Sequence, residues 1–127
     1  MTEYQIFNMM YVGFISNSMY FVVMVLLTWI GFRMANNIYN NSDSNMLAKI
    51  LTSTYCLLVG IMFFYTQQIG AAILETAAAS LAAIEAPSAE RMAEYPNSPL
   101  SIGGLVQTAF VVIVVVFQLA IIWNKKV

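Results

Sequence analysis

The sequence predicts an all-α integral membrane protein with three transmembrane helices, the second of which is overlong and projects beyond, or bends at, the outer membrane face. Two observations carry this prediction. Of 127 residues, 61% are hydrophobic and only 9% are charged, whereas soluble domains are about 45–50% apolar. Three apolar runs of about 20 residues are each long enough to cross about 30 Å of hydrocarbon as a helix. We therefore expect one membrane domain over residues 1–127.

The first transmembrane helix is expected at about residues 10–32. Thr2 and Gln5 have the spacing of a capping box, so this helix is expected to begin near the N-terminus and to run some turns before it enters the apolar region. A cleaved signal peptide is the competing interpretation. Residues 1–9, however, hold Glu3 and no basic residue, unlike the basic start of a signal peptide.

A polar, turn-rich segment at residues 34–48 is expected to form a tight cytoplasmic hairpin, too short for a domain. Asparagine, aspartate and serine favour turns and helix N-caps because their side chains bond to nearby backbone groups. We therefore expect Asp43, Ser44 or Asn45 to cap the second helix.

The second helix is predicted to be longer than a membrane requires. Residues 46–84 contain no proline and would span about 58 Å as one helix, so the span at about 50–72 continues as a helical extension to 84. One face of this extension repeats small and apolar residues at a 4-3-4-3 spacing, which is typical of helix packing. This candidate packing seam consists of Gly70, Leu74, Ala77, Leu81 and Ile84.

An outer loop and a third span complete the predicted topology. Pro87 ends the second helix, and the loop is expected over residues 85–99. Ser98 and Pro99 have the pattern of an N-cap and first helical residue, which predicts a third span at about 100–123. This span is rich in β-branched residues, but a helix is favoured because an open strand edge cannot satisfy its backbone in lipid.

The few basic residues predict the orientation of the spans. Arg91 alone lies on the side of the N-terminus, and four basic residues lie on the side of the hairpin and C-terminus. Because basic residues are enriched in cytoplasmic loops, we expect an outer N-terminus and a cytoplasmic C-terminus in the cell (inner) membrane. The four residues are Arg33, Lys49, Lys125 and Lys126.

Each predicted span carries an amide side chain at a similar depth, about 24–27 Å from the inner basic residues along a straight helix. Polar groups in lipid are costly and call for a role. We favour interhelical hydrogen bonds that fix the helix register; the alternative is a small cavity, ligand site or pore. This candidate polar layer comprises Asn17, Gln67, Gln68, Gln107 and Thr108. Nearer the cytoplasmic end, Gln118 is expected to bond Thr28 or Thr52.

Glu75 is a candidate intramembrane or interfacial carboxylate, because it is the one acidic residue in an apolar or small stretch. A carboxylate inside a membrane is a natural proton carrier. Glu75 would nevertheless stand about 39 Å from Lys49 along a straight helix, above a hydrocarbon core about 30 Å thick. This depth argues against a proton relay.

The composition excludes most familiar chemistry. The chain has no histidine and one cysteine, so it lacks imidazole ligands for metals or haem, the usual base of a catalytic triad, and an internal disulfide. A net charge of −1 gives no basic footprint for nucleic acid. We expect no catalytic residue, no metal site, no cofactor and no enzymatic activity.

The expected function is that of a small non-catalytic membrane subunit that acts by helix packing, in a larger complex or a self-assembled oligomer. Its expected partners are the lipid bilayer and other membrane subunits or copies of itself. The alternative is a pore- or channel-forming homo-oligomer, since by topology alone the chain is similar to class I phage holins. A third class, a pigment- or lipid-binding protein, would have to hold its ligand by packing and neutral hydrogen bonds.

Overall fold

Two long antiparallel helices form the body of the protein. A computed structural model describes residues 1–124, which contain helices and no strand. Helix α1 at Glu3–Asn40 and helix α2 at Met46–Ala83 have 38 residues each, about 57 Å at the rise of an α-helix. Lys125 and Lys126, which entered the prediction of orientation, lie outside the described residues.

A short helical segment and a third long helix follow. Helix α3 at Ala89–Glu94 leads into a 3-10 turn at Tyr95–Asn97, and helix α4 at Leu105–Trp123 packs against α1 and α2. The helices α1, α2 and α4 are long and apolar enough to cross a membrane. The predicted all-helical class with three helices of this kind is therefore confirmed.

Helix α1 begins as predicted and ends later than predicted. Thr2 and Gln5 form the capping box, with the Thr2 N–H donating to Gln5 Oε1 at 2.9 Å and the Gln5 N–H donating to Thr2 Oγ1 at 3.2 Å. The helix then runs through Asn40, because Ala35 and its neighbours still pack on a buried face. The turn is limited to residues 41–45, inside the predicted hairpin of residues 34–48.

Helix α2 starts at the cap and runs without interruption through Gly70. Asn45, one of the three predicted caps, accepts a hydrogen bond from the Ala48 N–H at 2.8 Å. The helix ends at Ala83, and Ile84 adopts non-helical angles as the C-cap. The predicted extension of the second helix is therefore present as a continuous helix.

Helix α4 begins five residues later than predicted, and Ser98 is not its N-cap. Residues 98–104 form successive turns, and Gly104 is the N-cap. The reason is Gly103, whose φ of 73° lies in the left-handed region. A helix cannot pass through that conformation, so it starts beyond this glycine.

Two buried clusters hold the bundle together at its two ends. Their names, outer and inner, follow the predicted orientation. The outer cluster joins the start of α1 and the end of α2 to Met92 of α3. The inner cluster consists of Ala35, Cys56 and Ile122, from α1, α2 and α4. Helix α3 thus packs at this end of the bundle, and α1, α2 and α4 pack together at the other end.

The outside of the bundle is apolar. On α4 the side chains of Val112, Ile113, Val116 and Phe117 are each at least half exposed, and similar side chains cover α1 and α2. Exposed apolar patches of this extent are rare on soluble monomers. The three helices and their surface are consistent with a membrane protein.

Candidate functional site

Asn17 links α1 to α2 at the level of the predicted polar layer. Its side chain is buried, and Nδ2 donates to the backbone carbonyl of Thr66 at 3.1 Å. The absence of a side chain at Gly70 makes this approach possible, because a Cβ there would lie 3.2 Å from Asn17 Nδ2. Ile102 fills the rest of the space over Gly70, where a Cβ would overlap its side chain.

Gln68 and Gln107 bond the same loop residue from two sides. Gln68 Nε2 donates to the Gly103 carbonyl at 3.0 Å, and the Gly103 N–H donates to Gln107 Oε1 at 2.9 Å. Thr108 instead donates its hydroxyl to the Gly104 carbonyl at 3.0 Å, one turn earlier in its own segment. The two glutamines therefore fasten the start of α4 to α2, and Thr108 does not join helices.

Gln67 differs from its neighbours in the layer. Its side chain is 3% exposed, and its Oε1 has no hydrogen-bond partner among the described residues. Its backbone carbonyl oxygen would lie 2.9 Å from a Cβ at Gly103, so the loop rests directly on this part of α2. The structure thus brings amides from all three long helices to one level. Asn17, Gln68 and Gln107 bond backbone groups and not each other.

The candidate packing seam lies against the protein's own helices. Gly70, Leu74, Ala77 and Leu81 are buried, and Leu81 has no exposed surface. The last three pack with Ile6 and Met10 of α1 and with Met92 of α3. Ile84 is 40% exposed, because as the C-cap it has left the helical face.

Glu75 lies outside both groups. It is exposed and follows the buried Leu74 on α2. It stands eight residues beyond Gln67, about 12 Å further toward the outer end. The structure therefore does not bring this carboxylate to the amide layer.

A second set of hydrogen bonds joins the three helices nearer the hairpin. Gln118, 2% exposed, donates from Nε2 to the backbone carbonyl of Thr28 at 3.1 Å. The predicted pairing of Gln118 with Thr28 is confirmed, through the backbone and not the hydroxyl. Tyr55 donates its hydroxyl to the Leu27 carbonyl at 3.0 Å, and Trp123 donates from Nε1 to Ser53 Oγ at 2.8 Å.

A cleft between α1 and α4 was not predicted from the sequence. Its volume is about 310 Å³ and nearly all of its lining is apolar, with α2 as its floor. The signal that could have revealed it is the 4-3-4 spacing of Phe21, Val25, Thr28 and Phe32, which places these residues on one face of α1. The aromatic residues of the first span, taken together, do not lie on one helix face, so this subset was not recognised.

The interior of the bundle could offer a ligand neutral hydrogen bonds and apolar packing. Among residues 1–124, no three His, Cys, Asp or Glu side chains lie close enough together to hold a metal ion. Cys56 is buried at the inner cluster, with Sγ 3.9 Å from the Gly31 carbonyl oxygen.

Comparisons with family models, curated proteins and solved structures find no match to this chain.

Proposed function

We propose that the protein is a small non-catalytic membrane subunit that acts by helix packing with other membrane subunits or copies of itself. It crosses the cell (inner) membrane three times, with the N-terminus outside and the C-terminus in the cytoplasm. The observation that carries this proposal is an outer end that extends past α4 and exposes apolar side chains.

The lengths of the helices support this arrangement. Helix α4 has 19 residues, about 28 Å, which matches the hydrocarbon thickness of a bilayer. Helices α1 and α2 are twice as long. With α4 inside the membrane, the first turns of α1, the last turns of α2 and α3 stand beyond its outer face.

Side chains at the opposite end favour the proposed orientation. Arg33 lies over the ring of Trp29 at 5.1 Å, and Lys49 lies over the ring of Trp123 at 5.7 Å. Tryptophan is enriched at membrane interfaces, and basic residues are enriched on the cytoplasmic side. This end of the bundle is therefore the proposed cytoplasmic interface.

The projecting outer end provides the packing surface. Met9, Tyr11 and Val12 are between 56% and 63% exposed. A groove between α1 and α2 runs along the same region, with Gly13 and Thr76 in its walls. Covering apolar surface contributes about 25 cal/mol per Å², so a second polypeptide at this end would be stabilising.

The polar layer supports a packing role over a pore. A pore made of several copies needs polar side chains on the outside of each copy, where the copies meet a shared channel. Asn17 and Gln67 are instead buried inside one bundle, and Gln68 and Gln107 bond its own loop. These amides would line a channel only if the bundle opened.

Purification from native membranes in mild detergent tests the proposal. We expect unrelated polypeptides, or further copies of the chain, to co-purify with it in a fixed molar ratio. The double variant Met9→Gln, Val12→Gln should lower this ratio several-fold, because it removes apolar surface at the outer end. Asn8→Gln, which changes an exposed residue of the same region without removing apolar surface, should not.

Two results would contradict the proposal. One is a monomeric chain whose purification is unaffected by the double variant. The other is a homo-oligomer that conducts ions in liposomes with a conductance altered by Asn17→Leu or Gln67→Leu, which would establish the pore.

A further inference from the structure

The contact between α1 and α4 is incomplete along its length. The helices meet at the inner cluster, where Ala35 and Ile122 are fully buried. Between this contact and the polar layer lies the cleft of about 310 Å³. Phe21, Val25 and Phe32 of α1 form one wall, Phe110 and Val114 of α4 form the other, and Gly60 lies in the floor.

The chemistry of the cleft selects an apolar occupant. None of the residues within 1–124 that line it carries a charge. Its two polar side chains already donate within the bundle, Thr28 Oγ1 to the Met24 carbonyl at 2.8 Å and Gln118 Nε2 to the Thr28 carbonyl at 3.1 Å. A charged or strongly polar ligand would lose hydration here without compensating bonds.

The size of the cleft fits part of a hydrocarbon chain. A protein cavity of about 150 Å³ binds benzene, so about 310 Å³ holds about twelve carbons. Phe32 follows Phe21 by 11 positions, so the wall on α1 is about 16 Å long along the helix. This length is close to one leaflet of hydrocarbon, half of about 30 Å.

A second pocket lies further along the same boundary, toward the hairpin, and is called the polar pocket here for its asparagine and tyrosine side chains. It has a volume of about 280 Å³ and is lined by Asn36 and Tyr39 of α1 and by the end of α4 with Asn124. Asn36 follows Phe32 by one helical turn, and Arg33 lies between them in sequence. An apolar cleft followed by a pocket that offers the Asn36 amide and the Tyr39 hydroxyl has the order of a phospholipid, an acyl chain followed by a headgroup that accepts hydrogen bonds.

We propose that the boundary between α1 and α4 binds one membrane phospholipid, with an acyl chain in the cleft and the headgroup at Asn36 and Tyr39. The acyl chain enters from the side, between Val25 and Phe110, which are both exposed to the surroundings of the bundle. The site goes beyond the proposed packing role and depends on it only in that the helices must lie in a membrane.

A photoreactive phospholipid tests the site. The full chain is reconstituted in nanodiscs with phosphatidylglycerol that carries a diazirine in one acyl chain, and adducts are counted by intact mass and located in peptides. We expect labelling that saturates at one lipid per chain, falls with unlabelled phosphatidylglycerol, and maps to the walls of the cleft.

Two matched pairs of variants make the test specific. Val25 and Val23 are both 46% exposed on α1, and of the two only Val25 lines the cleft. Val25→Phe should lower the saturable labelling at least fivefold, and Val23→Phe should change it less than twofold. At the polar pocket, Asn36→Leu should weaken competition by phosphatidylglycerol several-fold, and Asn37→Leu should not.

Defined outcomes would overturn the proposal. Labelling spread over all exposed apolar faces, or equal effects of Val25→Phe and Val23→Phe, would show only the ordinary lipid around a membrane protein. Stronger competition by an isoprenoid alcohol than by phosphatidylglycerol would assign the cleft to another lipid. Circular dichroism and gel filtration confirm that each variant is folded, and carbonate extraction shows separately whether the chain is in the membrane.

Discussion

Close approach of the helices depends on single glycines. At Gly60 a Cβ would overlap Val115 Cγ2 of α4, and at Gly103 a Cβ would lie 2.7 Å from Ala71 Cβ. Valine is stiff at χ1, and a backbone loop cannot yield easily. These two glycines therefore set the distance between α4 and α2.

Replacement of Gly60 by alanine should destabilise the bundle. Forcing an extra methyl group against Val115 costs about 1–3 kcal/mol, of which the helix propensity of alanine offsets about 1 kcal/mol. A net loss of up to about 2 kcal/mol should appear in the free energy of unfolding in mixed detergent micelles. Gly13→Ala is the control, because its Cβ would lie 3.3 Å from the side chain of Ile73 and alanine gains helix propensity of about 1 kcal/mol. Equal destabilisation by the two variants would contradict the close approach at Gly60.

Two amides of the polar layer should respond in opposite ways to apolar replacement. Asn17→Leu removes an interhelical hydrogen bond and should cost about 0.6–2 kcal/mol. Gln67→Met removes a buried oxygen that has no hydrogen-bond partner among the described residues, so it should be neutral or stabilising. The same unfolding measurement decides, and a larger loss for Gln67→Met than for Asn17→Leu would contradict this assignment.

The depth of the amides could be predicted from the sequence, but their partners could not. A rise of about 1.5 Å per residue places Asn17, Gln67 and Gln107 at one level. Which atoms they meet depends on the rotation of each helix about its axis. Gln67 and Gln68 illustrate this, since neighbouring residues point about 100° apart and only Gln68 reaches the Gly103 carbonyl.

Among the secondary-structure elements, α3 is the one that closes the outer end. Met92 is 4% exposed between α1 and α2, and the Ser88 hydroxyl donates to Glu3 Oε1. These contacts cover the last turns of α2, where α4 does not reach. The outer loop is thus a packed element that ties the ends of two long helices together.

Loss of the Met92 side chain should loosen this end alone. Truncating a buried methionine to alanine costs about 2–5 kcal/mol, so Met92→Ala should speed amide hydrogen exchange in α3 and the first turns of α1. Met9→Ala removes a side chain that is 63% exposed and should leave exchange unchanged. Faster exchange throughout α4 in Met92→Ala would mean that the outer end does not open independently.

The predicted boundaries were best where a local side chain sets them. The capping box at Thr2 and the Asn45 cap depend on residues three positions away, and both form. The start of α4 was wrong because a local cap signal at Ser98 competes with the left-handed turn at Gly103, which packing against α2 requires. The end of α1 was placed too early because burial of Ala35 outweighs the turn-forming asparagines that follow.

The whole molecule is a bundle with unequal ends, and its three helices that are long and apolar enough to cross a membrane were predicted from hydropathy alone. The cleft was not predicted because it results from how three helices diverge, and the residue pattern of one helix does not show this. The proposed orientation depends on few charges: Arg91 against Arg33, Lys49, Lys125 and Lys126 in the sequence.

Cysteine labelling of intact cells tests this orientation. Ala93 in α3 and Ser42 in the turn are both exposed, and the native Cys56 is 1% exposed and should give little background. A membrane-impermeant maleimide should label Ala93→Cys before lysis and Ser42→Cys only after it. The reverse pattern would invert the proposed topology.

The five-residue turn at 41–45 has a consequence for the order of assembly. The turn joins two helices of equal length, so all contacts between α1 and α2 lie within one hairpin. The conformational entropy lost on closing a turn of this length is small. This hairpin can form before α4 has been synthesised. We then expect α4 to dock last onto a completed pair, so that the face of α2 at Gly60 stays uncovered until α4 arrives.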